Sequence, residues 1–165
     1  MKTENYKPFY IGSDYMEHVL SYNSLSDVID DLVRLIKRSK IEFDSIAVRG
    51  NSGTLVAGPL SLELQKNIIL VRKQDGSHSE YDIEGFCSFK NEQSIILNAD
   101  NLPEIRYIII DDLIATGKTV LEINEKLKDK AQLVGIFLYA QDMDYKSSIA
   151  GIESELDVPV FSIER

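Results

Sequence analysis

The sequence has little that would cross-link the chain or bind a metal through soft ligands. Cys87 is the one cysteine among 165 residues, which excludes an internal disulfide. The two histidines, His18 and His78, lie far apart in sequence, so no cluster of histidine and cysteine has the spacing of a metal site. The sequence therefore predicts neither a disulfide scaffold nor a zinc-type centre.

Long hydrophobic runs are also missing. The longest apolar runs have the length of a strand, so we expect no segment that spans a membrane. The first residues, M-K-T-E-N-Y-K-P, contain no apolar stretch of the kind that a signal peptide needs. With so little cysteine, a cytoplasmic protein is the default expectation.

Positive charge is scarce as well. Lysine and arginine number 18 against 27 acidic residues, which gives a formal net charge of −9. This balance argues against broad contact with nucleic acid, because the phosphate backbone requires a basic face. The length and a hydrophobic content of 44% are ordinary for one globular domain with a real core, and we expect a single domain over residues 1–165.

The stretch from Tyr107 to Thr119, Y-I-I-I-D-D-L-I-A-T-G-K-T, is the most informative part of the chain. Three consecutive isoleucines at 108–110 predict a central strand buried on both faces. Two carboxylates, Asp111 and Asp112, end this strand. Residues 116–119 then lead into a helical apolar pattern, so a turn containing glycine precedes a helix N-terminus. Free backbone N–H groups and the helix dipole favour an anion there.

This turn differs from the phosphate loop of nucleotide-binding proteins. That loop needs the pattern G-x-x-x-x-G-K-S/T, and Asp112 stands where its first glycine would be. A carboxylate cannot line a loop that wraps tightly around phosphates. Two acids followed by a turn of phosphate size suit a sugar phosphate instead, with the acids for ribose hydroxyls or a hydrated Mg²⁺ and the turn for the 5′-phosphate.

Over this whole stretch the chain resembles the type I phosphoribosyltransferases. Their signature for 5-phosphoribosyl 1-diphosphate (PRPP) is four hydrophobic residues, two acids, two hydrophobic residues and x-T-G-x-T. The resemblance implies a Mg²⁺-dependent exchange of diphosphate for a base nitrogen at the ribose anomeric carbon. It implies that Asp111 and Asp112 are catalytic and bind the ribose and Mg²⁺, directly or through water. The residues that it assigns to the 5′-phosphate are Ala115, Thr116, Gly117, Lys118 and Thr119.

A second turn of small residues, R-G-N-S-G-T, follows a predicted strand at 43–48. The nucleophile pattern G-x-S-x-G fails here because Thr54 replaces its last glycine. In the resembled family this place is the diphosphate loop, which would assign Arg49, Gly50, Asn51 and Ser52 to the leaving diphosphate. Arg49 in an ordinary surface ion pair is the alternative.

The segment after this turn resembles adenine phosphoribosyltransferases. A helix is predicted from Gly58 to Gln65, with Pro59 at its first position, and then a strand over 67–71. Arg72 and Lys73 end that strand. The Arg72 guanidinium can donate two parallel hydrogen bonds and the Lys73 ammonium adds a compact positive charge, so the pair suits diphosphate.

Two segments are candidates for covering the site. Residues 74–85 are polar and resemble the flexible lid loop of the adenine enzymes, in which Glu84 would be the catalytic acid, although a solvated surface acid is nearly as good an interpretation. Residues 1–22 are rich in tyrosine and could form a small hood over the base, or pack as a surface arm.

These elements predict one doubly wound α/β domain, with a mainly parallel sheet of about five strands and flanking helices. A buried strand is predicted over 133–139, and residues 140–148 are expected to be a polar exit from it. This exit is either an ordinary loop or a contact to the base through Tyr139, Gln141, Asp142 and Met143. By resemblance, we expect a homodimer that binds PRPP and a nucleobase.

The residue before Thr-Gly bears on which base is used. Enzymes that use hypoxanthine or guanine place an aspartate directly before Thr-Gly, and this chain has Ala115 there. The pattern D-D-L-x-A-T-G favours adenine or another purine, with orotate or uracil left open. A non-catalytic PRPP sensor on the same fold is the alternative function.

Overall fold

The computed structural model describes residues 22–71, 95–96, 105–140 and 146–163. Helices and strands alternate along most of this chain. The elements are α1 (Tyr22–Ser39), β1 (Ser45–Val48), α2 (Gly50–Leu64), β2 (Asn67–Leu70), β3 (Ile95–Ile96), β4 (Arg106–Asp111), α3 (Lys118–Leu127), β5 (Gln132–Leu138), α4 (Lys146–Leu156) and β6 (Val160–Ser162).

The strands form one sheet in the order β3-β2-β1-β4-β5-β6. Five of them are parallel, and β3 is antiparallel to β2 at the edge. The predicted α/β fold with a mainly parallel sheet is therefore confirmed. From β1 the chain moves to β2 on one side, and later returns to β4 on the other side of β1. This reversal leaves a crevice at the carboxyl ends of β1 and β4, where open α/β sheets bind ligands.

The sheet is covered on both faces, as its isoleucine-rich central strand requires. Ile108 and Ile110 of β4 belong to one hydrophobic cluster with buried residues of α1 and α2. Tyr107 and Ile109, which point to the opposite face, pack with residues of α3 and α4. All four side chains are completely buried, and burying one isoleucine stabilises a fold by roughly 1.5–3 kcal/mol. The end of β4 is thus held in a rigid layer.

Helix α2 begins earlier than the sequence predicts. It starts at Gly50, directly after Arg49, and Pro59 lies inside it and not at its first position. Proline has no N–H to donate to the carbonyl four residues earlier, which normally favours a helix end. Val56, Ala57 and Leu60 on both sides of Pro59 are buried in the core, so tertiary packing outweighs one lost hydrogen bond. The predicted turn at 50–54 is therefore the first turn of α2.

Helix α4 is absent from the sequence-based prediction. It begins at Lys146, inside the segment that we expected to be a polar exit. No helix in the described ranges has both the length and the apolar character needed to cross a membrane. The predicted hood at 1–22, apart from Tyr22, and the predicted lid at 74–85 lie outside the described residues, as do Arg72, Lys73, Glu84, Gln141, Asp142 and Met143.

Candidate active site

A cleft of about 1070 Å³ opens at the carboxyl ends of β1 and β4. It brings together two segments that are about sixty residues apart in sequence, the start of α2 and the stretch from β4 to α3. Every predicted site residue that the structure describes lines this cleft: Arg49, Gly50, Asn51, Ser52, Asp111, Asp112, Ala115, Thr116, Gly117, Lys118 and Thr119. Their individual roles stay predictions, but their clustering gives one surface on which they can act together.

The two aspartates form the buried acidic end of β4. Asp111 is 5% exposed and Asp112 is 8% exposed. Asp111 Oδ1 accepts a hydrogen bond from the backbone N–H of Asp112 at 3.0 Å and from the Ser52 hydroxyl at 3.4 Å. Asp112 Oδ1 accepts one from the backbone N–H of Leu113 at 2.8 Å. Ser52 thus connects the first turn of α2 to the acid pair.

The surroundings of Asp111 disfavour its negative charge. Burial, and after it the charge of Asp112, raises the pKa of Asp111 to about 8, although the Asp112 N–H and the Ser52 hydroxyl act in the opposite direction. Two adjacent carboxylates in a cleft are oxygen ligands for a hard cation and acceptors for sugar hydroxyls. Among the residues that the structure describes, no group of three or more His, Cys, Asp or Glu side chains could hold a metal ion.

The turn between β4 and α3 ends in a glycine directly before the helix. Gly117 precedes α3 with φ 75° and ψ −7°, a left-handed conformation that glycine adopts without strain. The Lys118 N–H lies 3.4 Å from the Thr116 hydroxyl oxygen, which closes the turn. No side chain of Gly117 caps α3, and the N–H groups that follow Lys118 in the first turn of a helix have no acceptor within the helix, so they can donate to an anion.

Helix α4 supports this turn from behind. The Ser148 hydroxyl donates a hydrogen bond to the Ala115 carbonyl at 2.7 Å. A Cβ atom at position 117 would overlap Ile152, so this isoleucine packs directly on the glycine. Sequence reasoning missed both residues because they lie about thirty positions beyond the turn, and no local pattern links the two segments.

Arg49 is already paired across the cleft. It is the residue before α2, and its guanidinium Nη1 forms an ion pair with Glu122 Oε2 of α3. Lys118 Nζ lies 3.8 Å from the other carboxylate oxygen of Glu122. The Arg49 side chain is 11% exposed and that of Lys118 is 75% exposed. Glu122 was also missed, although its spacing of four residues from Lys118 is the usual signal for a pair on one helix face.

The chain shares sequence with enzymes from several bacteria. It is 32% identical to the adenine phosphoribosyltransferase of Ureaplasma parvum serovar 3 over 121 residues, which is 70% of this chain and 66% of that protein, just under two thirds of its length. It is 29% identical to the adenine phosphoribosyltransferase of Prochlorococcus marinus over 169 residues, covering 96% of this chain and 92% of that protein. A scan against protein-family models found no match.

The fold is also found among solved structures. The orotate phosphoribosyltransferase from Aeropyrum pernix superposes with a TM-score of 0.68 at 15% identity, covering 92% of this chain and 78% of that one. In its fold, in its sequence and in the signature at the end of β4, the chain is similar to the type I phosphoribosyltransferases. The relatives that share its sequence are named adenine phosphoribosyltransferases, the branch that its D-D-L-x-A-T-G pattern resembles.

Proposed function

We propose that the protein transfers the 5-phosphoribosyl group of PRPP to a nucleobase, adenine being the favoured base, and releases diphosphate. One observation carries the proposal. The acid pair at the end of β4, the turn that starts α3 and the first turn of α2 line a single cleft. These three features suit one molecule that carries a ribose, a phosphate on its C5 and a diphosphate on its C1.

The 5′-phosphate would bind in the turn before α3. Backbone N–H groups from Ala115 to Lys118, together with the hydroxyls of Thr116 and Thr119, would donate hydrogen bonds to this phosphate, in a turn whose left-handed Gly117 lines the cleft. The positive end of the α3 dipole adds to the attraction. This turn holds the ribose in place while the bond at its anomeric carbon changes partner.

Asp111 and Asp112 would bind the ribose hydroxyls and Mg²⁺, directly or through water. Mg²⁺ commonly takes one or two protein carboxylates and completes its coordination with water and substrate phosphate oxygens, which fits a pair of acids beside an anion site. When bound, Mg²⁺ supplies positive charge for the departing diphosphate. Burial disfavours the negative charge of Asp111, and a bound cation or hydroxyl donors next to this carboxylate would offset that cost.

The diphosphate would bind at the start of α2. Gly50, Asn51 and Ser52 occupy the first turn of this helix, so their backbone N–H groups have no acceptor within the helix. Arg49 adds a guanidinium at the same end. The predicted roles of Arg72 and Lys73 in diphosphate binding, and of Glu84 as the catalytic acid of a lid, remain part of the proposal.

Ala115 is the basis for preferring adenine. Its methyl side chain brings no carboxylate to the place where enzymes for hypoxanthine or guanine would carry an aspartate. The fold itself does not choose the base, because similar structures include both adenine and orotate phosphoribosyltransferases. No observation favours the alternative of a non-catalytic PRPP sensor. We further propose that the protein acts as a homodimer in the cytoplasm.

A panel of bases tests this function. With PRPP and Mg²⁺, we expect the protein to release diphosphate in the presence of adenine and not of hypoxanthine, and to lose this activity when Mg²⁺ is chelated. The variant Asp111→Asn with Asp112→Asn should lose PRPP binding in calorimetry while keeping its circular dichroism spectrum, because the contacts to ribose and cation are gone.

A matched control removes two carboxylates from an exposed surface. Asp27→Asn with Asp30→Asn changes the net charge of α1 by the same amount, outside the cleft, and should keep full activity. Transfer to hypoxanthine in preference to adenine would contradict the argument from Ala115. Unchanged PRPP affinity in the Asp111 and Asp112 variant would contradict the proposed site.

A further inference from the structure

Glu122 is an acid in a cleft that is proposed to bind anions, and the proposed reaction gives it no role. It lies on α3 and lines the cleft. Among the described residues that line this cleft, Arg49 and Lys118 are the basic ones, and Glu122 contacts both. This one carboxylate therefore offsets part of the positive charge that would otherwise attract an anionic ligand.

The two contacts of Glu122 are unequal. The pair with Arg49 joins the end of β1 to α3, and the Arg49 side chain is only 11% exposed. The contact with Lys118, at 3.8 Å, is a pair within one helix whose lysine is 75% exposed. An exposed pair of this kind contributes little, whereas a charge pair shielded from water is stronger. Arg49 is therefore the partner through which Glu122 acts.

We propose that Glu122 is an internal counter-ion that competes with diphosphate for Arg49. A carboxylate and a phosphate group are bound by the same planar fork of guanidinium N–H donors. Diphosphate, whether free or as part of PRPP, has to displace the Glu122 carboxylate from Arg49 or share Arg49 with it. This competition weakens the binding of diphosphate and favours its release as a product. This proposal rests on the proposed function and adds a positioning residue to it.

A purely structural role of Glu122 predicts the opposite result. If the pair served mainly to clamp α2 to α3, its loss would lower the stability and also weaken binding, because Arg49 would no longer be oriented. The Glu122 side chain is 36% exposed, and ion pairs with one partly exposed member contribute modestly to stability. The sign of the change in affinity therefore separates the two roles.

The test measures diphosphate binding to the full chain by calorimetry in the presence of Mg²⁺. We expect Glu122→Gln to bind diphosphate about three- to tenfold more tightly than the unaltered protein, which is the net scale of one ordinary hydrogen bond. The KM for PRPP should fall by a similar factor, without a rise in kcat. Thermal unfolding measured alongside should show little change.

Glu125→Gln is the matched control. Glu125 lies on the same helix and pairs with Lys128 at 2.8 Å, outside the cleft, so this variant removes the same charge without touching Arg49. Screening at physiological salt limits its effect on the cleft, and we expect unchanged diphosphate affinity. Equal tightening of diphosphate binding in both variants would overturn the proposal, because the effect would then come from the change in net charge alone.

Coupling to Arg49 completes the test. Arg49→Gln should weaken diphosphate binding. Adding Glu122→Gln to this variant should not tighten the binding, because there is then no Arg49 guanidinium for which Glu122 and diphosphate compete. Unchanged or weaker binding in Glu122→Gln alone would overturn the inference, while transfer activity in the unaltered protein would leave the proposed function in place. An unaltered protein that binds neither PRPP nor diphosphate would overturn both.

Discussion

Asp111 places a carboxylate in surroundings that do not favour its charge. It is nearly inaccessible to solvent, it follows three buried isoleucines, and the next residue carries a second acid. A hydroxyl and one backbone N–H compensate for only part of its lost hydration. Such a residue lowers the stability of the fold at neutral pH, and a ligand that brings positive charge or hydroxyl donors recovers that loss. The acid pair is thus suited to binding and is unfavourable for folding alone.

The stability of the protein should therefore depend on pH in a defined direction. Because folding raises the pKa of Asp111 from 3.8 to about 8, the folded state binds more protons than the unfolded state between these values. The favourable contribution of the protonated carboxyl is present below pH 4 and is lost progressively up to about pH 8. In metal-free buffer, we expect the free energy of unfolding, measured with urea, to fall over this range.

Substitution of the same residue checks the assignment. Asparagine at position 111 has no proton to lose, so the free energy of unfolding of Asp111→Asn should change less between pH 5 and pH 8 than that of the unaltered protein. Asp27→Asn, at an exposed position of α1, should keep the original dependence. An identical decrease in the Asp111 variant would mean that another group is responsible.

The candidate site could be predicted at those residues whose role follows from the local sequence. The acid pair, Gly117 and its flanking threonines lie in one continuous strand-turn-helix, where apolar period and turn chemistry are sufficient signals. Glu122 and Ser148 contribute through partners on other elements. Glu122 pairs with Arg49, and the Ser148 hydroxyl donates a hydrogen bond to the Ala115 carbonyl. Such contacts depend on how the elements pack, which a single sequence does not contain.

Among the elements, α4 has the clearest effect on the site despite its position near the end of the described chain. It presents a hydroxyl to the Ala115 carbonyl and an isoleucine to Gly117. The conformation of the turn before α3 is therefore fixed by two features, the left-handed glycine itself and the packing of α4 against it. A turn held in this way needs little rearrangement when an anion binds.

Gly117→Ala tests this contact between turn and helix. The alanine meets two obstacles, a φ of 75° that disfavours any side chain and the overlap of its Cβ with Ile152. We expect it to lower the free energy of unfolding by about 2–4 kcal/mol, a sum of backbone strain and overpacking. The measurement is chemical denaturation, accompanied by the KM for PRPP, which should rise.

The control uses Gly151 of α4, and the coupled variant adds a substitution of Ile152 on the same helix. Gly151→Ala has no neighbour within 4 Å of the added Cβ, so it should be neutral or stabilise the protein by about 0.5–1 kcal/mol, as alanine does in a helix. Combining Gly117→Ala with Ile152→Ala removes the overlap, and the double variant should lose less stability than the two single losses added together. Strict additivity would show that the overlap is relieved by another movement.

The elements of the sheet were predictable, and two features of the helices were not. Strands rich in isoleucine and valine, separated by helical patterns, define the alternation of a parallel α/β sheet. The start of α2 was placed too late because Pro59 is a strong local signal, and burial of Val56, Ala57 and Leu60 overrides it. Helix α4 was missed because its sequence, K-S-S-I-A-G-I-E-S-E-L, combines serine and glycine with few apolar residues.

At the scale of the whole molecule, α2 exposes apolar surface on the side away from the core. Leu62 is 83% exposed and Leu55 is 40% exposed, in a helix that buries Val56, Ala57 and Leu60 on its other side. Two large apolar side chains exposed on one helix are an unfavourable surface for a monomer. A second copy of the chain, as expected for the proposed homodimer, would cover them.

Leu62→Glu tests the dimer. In a symmetric interface each substitution occurs twice, so a dimer that buries Leu62 loses two apolar contacts and gains two buried charges. We expect sedimentation equilibrium to show a dimer for the unaltered protein and an association weakened about a hundredfold or more for this variant, since each buried leucine contributes roughly 1.5–3 kcal/mol. Ser26→Glu, at an exposed position of α1, adds the same charge and should leave the dimer intact. A monomer in the unaltered protein would contradict the dimer itself, and a dimer that survives Leu62→Glu would place the interface on another face.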